Sequence, residues 1–366
     1  MPEHAYFTFM AERAERWDPH DRSDVPFAGA AYIAGYLREF ERHWDGDPLT
    51  FYITHHTTKL GSYGPDVVVV LLNDEWFRTP AYSGCVLATL RNLPARPWFP
   101  WETLVPPSSE SAFAASNHAR VLIERRRADR NAEAIRVSRG WPAMRTDNAI
   151  DVPLGYYHQP ERPITPLGER TSDVFFAGSL LHDMQKTGWK RAVKRIAGNP
   201  KQVYRKSMIR ELDRFREGHP ELRAKVSVSG DFRQLGGSEV SSYAEAMMDS
   251  RVALVPRGTV AESYRLFEAW RYGCIAICEQ LPPRPFLRGS PAIMLRSWRE
   301  LEPVLEELLG DPDRQLALHA ASLAWWRDVC SERVVGRRLA DQLRALRSGS
   351  RGAPATRPLD GAPALV

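Results

Sequence analysis

Arg251-Val-Ala-Leu-Val-Pro-Arg-Gly-Thr-Val-Ala-Glu-Ser-Tyr-Arg-Leu-Phe-Glu-Ala-Trp-Arg-Tyr-Gly-Cys-Ile-Ala-Ile-Cys278 is the stretch that decides the fold. Val252 to Val255 is short and wholly apolar, the pattern of a strand buried on both faces. Pro256 and Gly258 stop it. The spacing then predicts a helix from about Glu262 to Tyr272, with Gly273 where a left-handed cap is needed. Cys274 to Cys278 is apolar again and reads as the next strand. A strand–turn–helix–strand unit of this kind belongs to a parallel sheet. It puts the turn 257–263 and the first helical turn at the sheet's carboxyl edge, where open α/β sheets bind ligands.

The chemistry of that turn favours an anion. Free backbone amides and the helix dipole attract negative charge at a helix start, and Ser263 and Tyr264 lie in that region. Arg265 adds a fork of donors suited to phosphate oxygens, and Arg257 and Gly258 lie in the turn itself. Glu268 shares a helix face with Arg265. A carboxylate beside a diphosphate cannot be a phosphate ligand, but it can accept from ribose hydroxyls. The pattern therefore fits a nucleoside diphosphate. The same two residues also fit an ordinary surface ion pair at i,i+3 spacing.

Outward from this unit, strands alternate with helices along the whole chain. In the amino-terminal half a helix is expected over 28–42. Strands are expected over 49–54, 66–72 and 85–90, and a second helix over 112–128. Prolines and glycines cluster from Pro153 to Gly168 and mark a linker. Beyond it come a strand at 174–177, helices at 183–197 and 204–217, a strand at 225–229 and a helix at 239–249. After the opening unit follow a strand at 291–295 and helices over 298–309, 312–328 and 331–347. The expected organisation is a first domain over 1–155, a linker over 156–172, a second domain over 173–330, and a helix over 331–347 that can cross back to the first. The Gly-, Ala-, Pro- and Arg-rich tail over 348–366 is expected to be disordered.

With 366 residues the chain is long enough for two cores. Hydrophobic residues make up 43% and charged ones 26%, which fits a globular protein. The net charge of +5 is modest and scattered apart from Glu124-Arg-Arg-Arg127, so a nucleic-acid partner is not expected. Cys85, Cys274, Cys278 and Cys330 form no Cys-x-x-Cys pair and read as free thiols in a reducing compartment. Neither a signal peptide nor a membrane-length apolar run is visible, so a cytoplasmic protein is expected.

The central unit resembles the donor domain of exostosin-like glycosyltransferases. The residues that carry the likeness are Pro256, Gly258, Ser263, Arg265, Leu266, Glu268, Ala269, Gly273, Cys274 and Ile275. Ala276 departs from the family, which usually has Pro there. Asp173-Val-Phe-Phe-Ala-Gly-Ser179 looks like the first strand of the same domain, and Ser242 to Ser250 like the helix before the donor strand. The resemblance covers about residues 170–300 and is faint elsewhere. It implies an α/β fold of the GT-B type, with two Rossmann-like domains facing a central cleft. It further implies a nucleotide-sugar donor on the second domain, a hydroxyl-bearing acceptor on the first, and transfer with inversion. Because many relatives are membrane-anchored, this chain resembles a bacterial, soluble version.

Gly178 and Ser179 follow that first strand and could approach the donor phosphates or the acceptor, while Arg191 or Arg195 on the next helix fits either the diphosphate or an ordinary surface helix. Inversion calls for one general base. Glu75, Asp74, His55 and His56 follow first-domain strands and should face the cleft, with Glu75 ranked first. Helix capping is the plainer use of any one of them. Asp45-Gly-Asp47 precedes its strand and Asp311-Pro-Asp313 sits between helices. A turn and a helix cap account for them, and no metal or other cofactor is expected. Trp98, Phe99 and Trp101 fit packing under a loop better than sugar stacking, and Trp325-Trp326 fits packing of the crossing helix. A sugar-nucleotide epimerase or hydrolase, or a silent nucleotide-binding scaffold, are the competing functions.

Overall fold

A computed structural model describes residues 3–104, 109–157, 162–179, 200–229 and 237–349. The helix expected over 183–197, with Arg191 and Arg195, lies outside the described residues, as does the tail beyond Gly349.

The fold is α/β, built on two sheets. The first contains β1 (Ala5–Phe9), β2 (Glu15–Arg16), β3 (Thr50–Thr54), β4 (Gly64–Leu71), β5 (Val86–Arg91) and β6 (Ala149–Asp151), in the order β2-β1-β3-β4-β5-β6. Its pairings are parallel except β1 with β2. β4 runs in the interior, and Val67 to Leu71 are all buried. Apolar residues on both faces are what a parallel strand covered on both sides requires.

The second sheet contains β7 (Ser172–Ser179), β8 (Ala224–Ser229), β9 (Ser250–Val255), β10 (Ile275–Glu279) and β11 (Ile293–Leu295), ordered β11-β10-β9-β7-β8 and wholly parallel. The chain leaves β7 toward β8 on one side and then returns to place β9 on the other. That reversal opens a crevice at the carboxyl ends of β7 and β9, the switch point of an open sheet. In the first sheet the chain also steps to β2 on one side of β1 and then to β3 on the other, but β2 is a two-residue antiparallel edge strand.

Around the sheets lie α1 (Ala30–His43), α2 (Ser109–Ser138), α3 (Pro200–Gly218), α4 (Gly237–Met248), α5 (Tyr264–Arg271), α6 (Leu301–Leu309), α7 (Pro312–Trp325) and α8 (Glu332–Arg347). Gly273 ends the α5 segment at φ 68°, as its place in sequence requires. α7 starts at Asp311, whose side chain accepts from Arg314 N, with Pro312 at the first helical position. Asp45 and Asp47 instead pair with Arg344 and Arg347 of α8.

Three expectations need correction. α2 runs 30 residues, well beyond 128, because good helix formers continue and Arg125–Asp129 and Glu133–Arg136 pairs support the extension. α5 begins at Tyr264 rather than Glu262, whose carboxylate is drawn off to Arg284. The strands β1, β2 and β6, which the sequence left unmarked, complete the first sheet. They are short, and pairing rather than composition holds them.

α8 returns to the amino-terminal core. Val335, Leu339, Ala340 and Leu343 pack with Tyr36, Leu37 and Phe40 of α1. A Cβ at Gly336 would lie 2.5 Å from Tyr36 O and 2.7 Å from Phe40 N, so this crossing needs glycine. The cores also interlock: Leu93 and Leu154 join the core on one face of the second sheet, and Phe99 and Ala114 join the core on the other. Trp326 packs between Tyr32 and Tyr156, and Trp325 donates to Phe286 O.

Candidate functional site

The crevice between β7 and β9 is lined by arginines. Arg265, in the first turn of α5, is 5% exposed. Its Nη2 donates to Ala177 O, and its guanidinium lies 5.0 Å from the Phe176 ring centroid. Its Nε and Nη1 are buried and have no hydrogen-bond partner among the described residues. The Tyr243 hydroxyl lies beside it without hydrogen-bond geometry to those atoms. Gly178 gives the guanidinium room, since a Cβ there would sit 2.8 Å from Arg265 Nη2.

Arg205 of α3, which the sequence reading missed, comes to the same place. It is 6% exposed, donates from Nη1 to Ser179 O at 2.6 Å, and leaves Nε without a partner. Burial, and then the neighbouring Arg265, push its pKa down to about 9. Burial is the larger cause, and the second guanidinium adds to it. Arg257 adds a third, over the Tyr204 ring at 5.1 Å and again with a buried, unpaired Nε. Its backbone N–H donates to Glu279 Oε2 at 2.9 Å. Burial pushes Glu279 up to about 7 against the pull of Arg257.

The helix start is open as well. Ser263 has the extended backbone of an N-cap, but its hydroxyl makes no capping bond and is buried without a partner. Buried donors that find nothing in the protein are costly unless something else binds them. Here several converge with a helix dipole, and an anion satisfies all of them.

The first sheet supplies the opposite wall. Glu75 follows β4, is solvent-exposed, and hydrogen-bonds Thr259 of the β9–α5 turn. Desolvation raises its pKa above the ordinary carboxylate value. The Thr259 bond and Lys201 oppose the rise, and Asp74 adds to it. Tyr264 similarly reaches Asn73. The backbone on either side of Glu75 turns left-handed at non-glycine residues, Asn73 at φ 51° and Phe77 at φ 56°. Strain of that kind gathers at functional sites.

The remaining expected residues fall into different settings. Asp74 is 2% exposed, and its oxygens accept from Arg78 Nε at 2.7 Å, Arg78 N at 2.6 Å and Arg91 Nη2 at 2.9 Å. Held by two arginines, it is an anchor for the turn rather than a free base. His55 is exposed, its pKa lowered by burial and by its neighbours His56 and Arg78. The His56 ring lies tilted against it, centroids 4.6 Å apart, and contacts Ala11 O. Glu268 is not open to a ribose in this conformation. It is 2% exposed, and its two oxygens accept from Tyr157 N and Tyr243 Oη, each at 2.9 Å. Nor does it form the surface pair with Arg265 that its spacing allows. Phe99 is buried, and Trp101 is exposed.

Among the described residues no group of three or more His, Cys, Asp or Glu is placed to hold a metal ion. No helix among them is long and apolar enough to cross a membrane. All four cysteines are free, three of them buried.

No protein-family model matches the chain. Human ribitol-5-phosphate xylosyltransferase 1 is 31% identical over 84 residues, a match that spans about a fifth of either protein (19% of each). Three solved structures share outline features of the fold. They are the GtfA/B complex (TM-score 0.40, 12% identity, 87% of this chain and 61% of that one), Anabaena HepE in complex with UDP (0.34, 11%, 86% and 76%) and the sucrose-phosphate synthase of Thermosynechococcus elongatus (0.40, 13%, 91% and 97%). At these values the likenesses assign no chemistry. What the chain itself offers is a crevice lined by buried arginine donors at the switch point of its second sheet.

Proposed function

We propose that this protein is a glycosyltransferase of GT-B type that takes a nucleoside-diphosphate sugar as donor and a hydroxyl group as acceptor. The observation that carries the reading is the crevice at the β7–β9 switch point, where Arg205, Arg257 and Arg265 bury unpaired donors beside an uncapped helix start. The resemblance of 170–300 to exostosin-like donor domains and the short match to a xylosyltransferase point the same way.

In this reading the diphosphate lies on Arg265, Arg205, Arg257 and the amides of Gly258, Ser263 and Tyr264, with Gly178 and Ser179 below it. As the bond to the sugar breaks, negative charge grows on the leaving phosphate, and fixed positive donors stabilise it without reorganising. With three arginines supplying the charge, no metal is required. Glu75 faces this site across the cleft and takes the proton of the acceptor hydroxyl in an inverting displacement. A ribose reaches Glu268 only if Tyr157 gives way, so we assign ribose contact to Glu268 conditionally on movement of the linker.

Calorimetric titration with uridine and guanosine diphosphates tests the core of the proposal. At least one should bind the wild type and lose most of its affinity in Arg265→Ala. A wild type that binds neither overturns the reading. Turnover then follows from a panel of sugar donors, with a xylosyl donor included because of the human relative's name. Hydrolysis or epimerisation that proceeds without any acceptor would favour the competing enzymes.

A further inference from the structure

Arg284 belongs to the second unit, in the segment after β10, yet most of its bonds cross to the first. Its Nη2 donates to Arg91 O at 2.8 Å, Asp151 Oδ1 at 2.9 Å and Val152 O at 3.4 Å. Its Nη1 donates to Asn92 O at 3.0 Å and to Glu262 Oε2 at 2.8 Å. The side chain is 4% exposed and lies over the Phe286 ring, 4.4 Å from its centroid. Four of these five acceptors stand at the carboxyl ends of β5 and β6. The fifth, Glu262, immediately precedes Ser263 at the start of α5. Arg91, whose carbonyl accepts from Arg284, itself grips Asp74, one residue before Glu75.

One buried guanidinium therefore joins the turn that carries Glu75 to the turn that carries Arg265. Apolar contacts between the units can slide. This link cannot, because separating the units takes four of the five acceptors from a buried cation and leaves it only Glu262 of its own unit. Asp151, which retains 35% side-chain exposure, marks the rim of the link.

We infer that Arg284 is a latch that fixes the angle between the two units and holds the 256–263 turn against the strand ends of the first sheet before any ligand arrives. Arg284 touches neither substrate nor reacting atoms and acts by position. Its consequence for nucleotide binding rests on the proposed function, whereas the latch itself does not.

The test uses the full chain with spin labels at Glu15→Cys and Leu316→Cys, both exposed, in a Cys85→Ser background, and measures the distance between them by pulsed dipolar spectroscopy. The otherwise unaltered protein should give one narrow distribution, with or without UDP. Arg284→Met should broaden it, and UDP affinity should fall about tenfold, a typical coupling between linked sites. Arg284→Lys, which keeps the charge and part of the donor set, should recover part of both. A folded Arg284→Met protein with an unchanged narrow distribution overturns the latch. If that variant does not fold, Asp151→Lys at the rim, which replaces an acceptor with a like charge facing Arg284, takes its place, and an unchanged distribution there overturns it equally. Broadening in the variant together with no UDP binding by the wild type would keep the latch and sink the nucleotide reading.

Discussion

Arg265 was legible in the sequence because its place is local: second in a helix that follows a buried strand and a Pro-x-Gly turn. Arg205 was not, since a helix rich in Lys and Arg offers many equivalents. The available signal was its position beside Tyr204 on the apolar stripe that continues through Met208, Leu212 and Phe215. Both are buried and their like charges repel, so function and stability should trade against each other there. Arg205→Met should raise the melting temperature of the unliganded protein while weakening UDP binding about ten- to a hundredfold, the worth of a charge-assisted hydrogen bond. Calorimetry and thermal unfolding on the same sample measure both. A variant that loses stability and keeps its affinity would remove Arg205 from the site. Glu75 carries a different prediction. A base must be unprotonated, so kcat/KM should fall as pH drops through its raised pKa, leaving an acid limb in the pH profile. Glu75→Gln should lower turnover by about a hundredfold or more and abolish that limb while leaving UDP affinity unchanged. Near-normal turnover in Glu75→Gln, with loss in His55→Ala or His56→Ala, would make a histidine the base.

The contact of α1 with α8 has a glycine on each helix, Gly35 against Glu332 and Gly336 against Tyr36 and Phe40. A Cβ on Gly35 would meet Glu332 Cγ at 2.6 Å, part of a side chain rather than backbone. A Cβ on Gly336 would meet backbone, which cannot move aside. Gly336→Ala should therefore destabilise the protein by about 1–3 kcal/mol, the usual cost of overpacking. Gly218→Ala, with open space around it, should change little. Denaturant midpoints of the two variants give the comparison, and equal midpoints would mean that α8 is not clamped to α1. The helix–strand pattern of the second half could be read directly because buried strands there are continuous apolar runs. β6 could not, since three residues carry no period, and α2 overran its expected end because helix propensity continues where no breaker stops it.

The two units are tied at several points, so the molecule should unfold as one. Residues from the amino-terminal half complete both cores of the second sheet, α8 of the carboxyl-terminal half completes the core of the first, and Arg284 spans the site between them. Differential scanning calorimetry should show a single transition, and two resolved transitions would contradict this interlocking. A diphosphate at a hundred times its dissociation constant should add about 2.7 kcal/mol to the stability of the whole. That added stability should move the single transition rather than split it.

The sequence by itself determined the second sheet, its carboxyl edge and Arg265 at that edge, because strand burial, turn chemistry and helix period are written over neighbouring residues. Only the tertiary structure decided which charges are buried and what each one meets. Asp74 and Glu75 are adjacent, yet one is locked by Arg78 and Arg91 and the other faces Thr259. Glu268 and Arg265 share a helix face, yet Tyr157 and Tyr243 take the carboxylate and the arginine is left with open donors. Arg284 meets Asn92, Arg91 and Asp151 across more than a hundred residues of chain. Pairing and desolvation are relations between distant segments, and no window of sequence holds both partners.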